Sequence, residues 1–482
     1  MSTSSLRLRA FAVFFLTSTV WFSTANGPAA ELLDVGSNAI LPDVLATGAN
    51  KLSGERAAIE SIPSPTIDEY AGRRARVYET IGDDIAVMCG FYASPNEYRR
   101  HRQQNNFYYL TGVETPNCAL LLDGRTKQAT LFMPAGRGGP RPGNFDQVAA
   151  TTGIDRIIGV NEFADTIKAA AQGRKRVFML ASPDEGYSQS RDSFFAMGRQ
   201  ASVLPGDPWI LRAQQFRDAV KNLVGEVEVA NLQTAIDPLR RVKSAAEIAL
   251  MREAARIGAE GIADTIRATR PGILERELEG VFELACLRNG AHGSAWTTIV
   301  ATGPKITEFH YFENSRRIEP GEMILIDAGP DYRYYTSDLT RVWPASGPYP
   351  ARYRELYDKL LVVHKAMIAA VKPGVTVGEL NRVLRETAKT QEIDRYIVGG
   401  AGHYTGMAPH DVGDFRAAFV AGVVFNIEPL LVVREENLHI RFEDTVLCTE
   451  TGSEVLTPLD VLPWEADKLL QMRDGKKTVS AR

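Results

Sequence analysis

Four acids in this chain stand where apolar strands ordinarily carry none. Met323-Ile324-Leu325-Ile326-Asp327-Ala328-Gly329 is an apolar run that ends on a carboxylate. Thr336-Ser337-Asp338-Leu339-Thr340-Arg341-Val342 brings a second acid 11 residues later. A turn through residues 330–333 makes the two runs neighbouring strands with both acids on one face. Further on, Val423-Val424-Phe425-Asn426-Ile427-Glu428-Pro429 and Ile440-Arg441-Phe442-Glu443-Asp444-Thr445-Val446-Leu447 repeat the arrangement. Between these pairs lies Gly402-His403-Tyr404-Thr405-Gly406-Met407-Ala408-Pro409-His410-Asp411, a glycine-bearing loop with two imidazoles.

An acid at a strand end is most often simply solvated, but Ile324 and Ile326 on one side and Leu339 and Val342 on the other imply burial here. Buried together, the acids would raise one another's pKa values and destabilise the fold. A lone histidine is most often a satisfied core residue, and four neighbouring acids change that reading for His403. Four carboxylates and an imidazole form an oxygen-rich donor set suited to hard or borderline divalent ions such as manganese, cobalt or zinc. The charges also close, because four carboxylates carry −4 and two divalent ions carry +4. Two such ions about 3.5–4 Å apart generate a nucleophile from water and polarise a carbonyl oxygen.

The elements that must hold these groups are signalled around them. Ser244 with Glu247 has capping-box spacing, and Ile248, Met251, Ala255, Ile262 and Ile266 keep helical periodicity up to Pro271-Gly272. A shorter helix through Leu274, Leu278, Phe282 and Ala285 stops at Asn289-Gly290. The order then recurs: a long helix through Leu356, Leu360, Val363, Met367 and Val371, a stop at Pro373-Gly374, and a shorter helix opened by Thr376 with Glu379. Arg270-Pro271-Gly272 and Glu277-Leu278 line up with Lys372-Pro373-Gly374 and Glu379-Leu380 at an offset of 102 residues. Two related halves, each of two helices followed by strands, are expected.

The first part of the chain reads as mixed α/β. It has a helix around residues 68–80, strands at 85–89, 107–111, 118–122 and 129–133 with a turn at Asp123-Gly124, then helix 163–171 and strand 177–180. With 482 residues the chain exceeds what one core supports. The expected division is a signal peptide at 1–30, a leader at 31–65, an N-terminal domain at 66–235, a catalytic domain at 236–470 and a tail at 471–482. The signal peptide rests on Arg7 and Arg9 before an apolar stretch and small residues around Ala25, with Ala29-Ala30 a second cleavage site. Export to the periplasm or medium is expected, without a stable membrane anchor, because that stretch is too short to span. A net charge of −4 with 44% hydrophobic and 24% charged residues is ordinary for a globular chain and gives no basic excess for nucleic acid. Cys89, Cys118, Cys286 and Cys448 are scattered in apolar runs and read as buried small hydrophobes.

In order and local context, Asp327, Asp338, His403, Glu428 and Glu443 resemble the five metal ligands of the methionine aminopeptidase and prolidase superfamily, peptidase family M24. Phe309-His310-Tyr311-Phe312-Glu313-Asn314, the phrase from His403 to Asp411, and Tyr98-Arg99-Arg100-His101-Arg102-Gln103-Gln104-Asn105-Asn106-Phe107-Tyr108-Tyr109-Leu110-Thr111-Gly112 are similar to its Xaa-Pro aminopeptidase branch. The likeness spans about residues 73–458. It implies an α/β fold with a creatinase-like N-terminal domain and a "pita-bread" catalytic domain with a pseudo-twofold repeat.

The resemblance further implies two divalent ions, manganese first with zinc or cobalt as alternatives. Asp327 and Asp338 would hold one ion, Asp338 and Glu443 would bridge, and His403 and Glu428 would complete the other. Glu428 would accept the proton of the attacking water. His310 and His410 would hydrogen-bond the substrate carbonyl and oxyanion, and Arg441 would contact substrate. Peptides are the implied substrates, cleaved before proline to release the first residue, by a homodimer or tetramer. Prolidase-type dipeptide cleavage, a relaxed aminopeptidase and a metal-free binding module are the alternatives; all five ligands present speak against the last. Three departures, Gly399 for a usual histidine, Leu430 for glycine and Val432 for an aromatic, put the proline preference in question.

Overall fold

The computed structural model describes residues 62–92, 101–134, 145–181, 191 and 212–475. The expected signal peptide, nearly all of the leader, the Gly- and Pro-rich stretch 136–144 and the end of the tail lie outside the described residues.

The N-terminal part runs α1 (Ile67–Ile81), β1 (Ile85–Cys89), α2 (Asn105–Thr111), β2 (Ala119–Asp123), β3 (Gln128–Met133), α3 (Phe145–Thr152), β4 (Arg156–Gly159), α4 (Phe163–Ala171), β5 (Arg176–Met179), α5 (Arg212–Val224) and β6 (Glu228–Asn231). Its sheet has the order β4-β3-β2-β1-β5-β6 and is mixed: β1 runs antiparallel to β2 and parallel to β5. Alternation along the strands builds two cores. Ile85, Val87, Leu121, Val177 and Met179 pack with Ile167 and Val220 of α4 and α5. Ala86, Met88, Leu120, Leu122 and Leu131 face Val77 and Ile81 of α1 and continue into the core of the catalytic part. All four cysteines are buried.

One expectation is overturned here. Residues 107–111 form no strand but lie in α2, where the Gln104 side chain accepts from Phe107 N at 2.6 Å and Gly112 closes the C-terminus at φ 66°. The aromatic run suggested β structure; the cap and the left-handed glycine decide for helix.

The catalytic part follows α6 (Gln233–Arg241). Its first half is α7 (Ala245–Ala268), α8 (Glu275–Arg288), β7 (Ile299–Thr302), β8 (Met323–Ala328) and β9 (Leu339–Pro344). Its second is α9 (Ala351–Ala370), α10 (Val377–Thr390), β10 (Ile397–Val398), β11 (Gly402–Tyr404), β12 (Val424–Ile427), β13 (Leu430–Val433), β14 (Leu438–Arg441), β15 (Asp444–Cys448) and β16 (Ser453–Val455), before α11 (Ala466–Arg473).

The repeat shows in the hydrogen bonds. Gly272 and Gly374 both have φ 91°; Gly272 N donates to Ile318 O and Gly374 N to Phe419 O. The sheet β7-β8-β9 matches β11-β12-β15-β16, with Asp327 on an inner strand of the first and Glu428 and Glu443 at the ends of inner strands of the second. The Ser244–Glu247 and Thr376–Glu379 capping boxes both form.

Candidate metal centre

In the first half, Asp327 pairs in register with Thr340 of the neighbouring strand, and Asp338 stands two residues before Thr340. Residues two apart on a strand share a face, so both acids point the same way, as the spacing requires. In the second half, His403 pairs with Asn426 across β11 and β12. Glu428 follows the end of β12, and Glu443 fills the break between β14 and β15. An antiparallel bridge between Thr340 and Glu443, with backbone bonds of 3.3 and 3.4 Å, joins the two half-sheets. Through it the second half's last acid reaches the first half's pair.

The five expected ligands converge. His403 Nε2 lies 3.3 Å from Glu443 Oε1, 3.6 Å from Asp338 Oδ2 and 3.9 Å from Glu428 Oε2. Asp338, His403 and Glu443 each offer a ligand atom, all within 4.8 Å of one another. Asp327 and Glu428 are tied to them by Arg441, which donates to Asp327 Oδ2 at 2.7 Å and to Glu428 Oε1 at 3.1 Å. Expected as a substrate contact, Arg441 thus has the acids themselves as partners.

One guanidinium does not balance four carboxylates. Burial, with Glu443, Asp327 and Glu428 nearby, holds the Asp338 carboxyl well above its ordinary range. Burial raises Asp327 as well, and it pushes Glu428 up to about 8 with help from the Glu443 charge. Glu443 goes the other way. Against its burial, the hydrogen bond to His403 and the Arg441 charge bring it down to about 2. Asp327 Oδ1 and Asp338 Oδ1 are buried with no hydrogen-bond partner. Buried acceptor oxygens without donors cost about 1–3 kcal/mol each, and a cation is the partner that satisfies them. The donor set therefore fits divalent metal.

His410 stacks on His403 with ring centroids 3.9 Å apart. His310 lies near enough to Asp327, Arg441 and His410 to feel their charges, and burial lowers its pKa so that it stays neutral at pH 7. The centre thus has an acidic floor and two imidazoles at its edge.

Several residues were missed by the sequence reading. Thr340 Oγ1 donates to Glu443 Oε2 at 2.8 Å, and Asn426 Nδ2 donates to Glu443 Oε1 at 3.1 Å and to Asp338 O at 2.9 Å. Each stands two positions from an acid on the same strand face, which is the signal that could have found them. Behind Glu443, Asp444 bonds buried Arg341 and His364 and half-buried Trp464, and Arg341 also donates to the carbonyls of Thr340 and Glu443. Nothing local in the sequence joins residues this far apart.

Fold and site define a hydrolase of the metallopeptidase class. Residues 249–450 match the model of metallopeptidase family M24, and residues 70–178 match that of the aminopeptidase P N-terminal domain. The chain thus combines a region similar to family M24 metallopeptidases with one similar to the aminopeptidase P N-terminal domain, the two similarities that the resemblance implied. It is 29% identical over 430 residues to the mitochondrial intermediate cleaving peptidase 55 of Arabidopsis thaliana, covering 83% of this chain and 81% of that one. It is 27% identical over 440 residues to an Xaa-Pro aminopeptidase of Haemophilus influenzae, covering 81% and 94%. A structure of a putative aminopeptidase P from Bacillus anthracis superposes with TM-score 0.73 at 25% identity, covering 85% of this chain and 98% of that one.

Proposed function

We propose that the protein is a dinuclear-metal exopeptidase that releases the N-terminal residue of peptides, best where proline is second. The convergence of Asp338, His403 and Glu443 beside the partnerless oxygens of Asp327 and Asp338 carries this reading. Relatives named Xaa-Pro aminopeptidase over most of the chain support the substrate class.

Asp327, Asp338, His403, Glu428 and Glu443 would hold the ions. Bound there, two divalent ions, manganese by preference, would supply Lewis acidity for water and for the scissile carbonyl. Glu428 takes the attacking water's proton and returns it to the leaving amine. His310 and His410 donate to the substrate carbonyl and the oxyanion that develops from it. Thr340 and Asn426 fix the Glu443 carboxylate by its two oxygens.

The three departures bear on selectivity. Gly399 has φ 74°, and a Cβ there would meet the Leu430 side chain at 3.5 Å, so Leu430 fills space beside the glycine. Val432 is nearly buried opposite His439. A pocket that has lost an aromatic contact gives up about 1–3 kcal/mol of discrimination, so the margin of Xaa-Pro over Xaa-Ala peptides is narrower than an aromatic at that position would give. The mature chain begins after Ala25 or Ala30, works outside the cytoplasm and assembles with copies of itself. Metal analysis together with kcat/KM for matched Xaa-Pro and Xaa-Ala tripeptides tests the reading. Less than half an equivalent of metal in a folded chain overturns the two-ion centre, and equal cleavage of Xaa-Ala overturns the proline preference.

A further inference from the structure

The motif at Arg102 is not used by the metal centre. Arg102-Gln103-Gln104-Asn105-Asn106 is a run of five polar residues in the N-terminal domain, and all five are buried, the last four at 0% exposure. Polar groups are buried at a cost unless they are hydrogen-bonded, so their partners show what the run is for. The Gln103 and Gln104 side chains serve their own domain, donating to Thr115 O and capping α2, while the Gln103 backbone N donates to Tyr334 Oη of the catalytic domain at 2.9 Å. Arg102, Asn105 and Asn106 reach across to the catalytic domain.

There they grip the loop that carries the two histidines. Asn105 Nδ2 donates to Met407 O at 3.3 Å, and the Arg102 guanidinium reaches the same carbonyl at 3.5 Å. Arg102 is itself fixed by Asp331 at 2.5 Å, by Asn105 Oδ1 at 2.7 Å and by the Tyr334 ring beneath it at 4.5 Å. Asn106 Oδ1 accepts from Arg240 at 2.7 Å, and Arg240 pairs with Asp411, the residue after His410. Within the loop, Asp411 accepts from Met407 N at 3.0 Å and donates its own N–H to Tyr404 O at 2.8 Å. Both gripped points, Met407 and Asp411, flank His410.

Other contacts join the domains without touching this loop: the Tyr108–Tyr334 stack, Arg73 with Glu247, and Ser244 with Glu69. Joining the domains therefore does not account for the grip. The two histidines also differ. His403 sits in β11, paired with Asn426 of β12, so the sheet places it. His410 comes seven residues later, beyond the strand.

We propose that Arg102, Asn105 and Asn106 are positioning residues through which the N-terminal domain sets the place of His410 in the catalytic domain. This rests on the reading that His410 contacts substrate. The first test is Arg102→Ala. Metal content and KM stay near wild type, because the Arg102 contacts named above go to none of the five ligands, while kcat falls roughly 10–100-fold, as expected when a catalytic group shifts by about 1 Å. Arg102→Ala combined with His410→Ala is no slower than His410→Ala alone, since the first change acts through the second residue. The control is Arg74→Ala, another buried arginine, whose bonds go to carbonyls of Leu110, Thr152 and Gly153 in the N-terminal domain. It lowers Tm and keeps kcat per folded molecule. Should Arg102→Ala not fold, Asn105→Ala gives the same pattern with a smaller loss. Multiplying losses in the double variant, or an equal kcat loss in Arg74→Ala, overturns the positioning role. Histidine-labelled NMR separates this from the activity: the His410 resonance moves in Arg102→Ala and not in Arg74→Ala, whatever the substrate. An unmoved resonance overturns the positioning role even if the protein proves to be the expected peptidase, whereas a moved resonance in a chain that hydrolyses no peptide overturns only the peptidase reading.

Discussion

The two halves of the catalytic domain share a scaffold and differ in chemistry. Each opens with a long helix, stops at a glycine of φ 91°, continues through a helix whose third residue is a glutamate reaching back to the preceding backbone, and ends in an antiparallel sheet. The first half supplies two acids from adjoining strands. The second supplies acids at two strand breaks, an imidazole, and a loop held by another domain. Equivalent frameworks thus place unequal groups, which shows that the framework sets where a side chain stands and the local residue sets what it does.

The largest expected effect breaks the comparison at the first half. Asp338→Asn removes a charge from a first-half acid within reach of both His403 and Glu443. It should lose metal and hydrolysis together, by roughly 10³-fold or more in rate, as measured by elemental analysis and turnover. Retention of full metal would show that the halves do not share the centre.

Next comes His410→Ala in the second half. It should keep its metal and lose roughly 10²–10³ in kcat, the usual worth of one oxyanion donor. Unchanged turnover would leave the loop without a catalytic role.

The pH dependence of the metal-free protein is a smaller effect. Glu428 is raised to about 8 from about 4.5 unfolded, so the fold favours its protonated form. That contribution is present below about pH 4.5 and is lost as pH rises through about 8, with Asp327 and Asp338 shifted in the same direction. Glu443, lowered to about 2, contributes above about pH 4.5 and loses it only as pH falls toward 2. Manganese at 100 times Kd adds about 2.7 kcal/mol per site, and its binding releases protons. The Tm gap between manganese-loaded and metal-free protein should therefore widen from pH 5 to pH 8; a constant gap would mean that the acids do not titrate together.

The smallest effect sharpens the likeness. Thr376→Ala should cost about 1 kcal/mol, the worth of an N-cap. Ser244→Ala should cost more in thermal denaturation, because Ser244 Oγ also donates to Glu69 of the N-terminal domain at 2.6 Å.

How much of this was legible follows from the range of each signal. Caps, stops and acids in apolar strands are local, so Ser244, Thr376, Asp327 and Glu428 could be read directly. At 107–111 the aromatic residues spoke for a strand, while the decisive cap came from Gln104, outside the run. The Arg102 grip was not legible, because its partners lie 229 to 305 residues away in sequence. The same holds for Arg341, which meets Asp444 at a separation of 103 residues.

The bridge between Thr340 and Glu443 has a consequence for biosynthesis. It spans 103 residues and brings in the final acid of the set, so a nascent chain has the whole donor set only once Glu443 has left the ribosome. Truncated or stalled products carry Asp327 and Asp338 without their counterparts and cannot hydrolyse peptides around them. The first half of the catalytic part therefore waits on the second for its donor set to close.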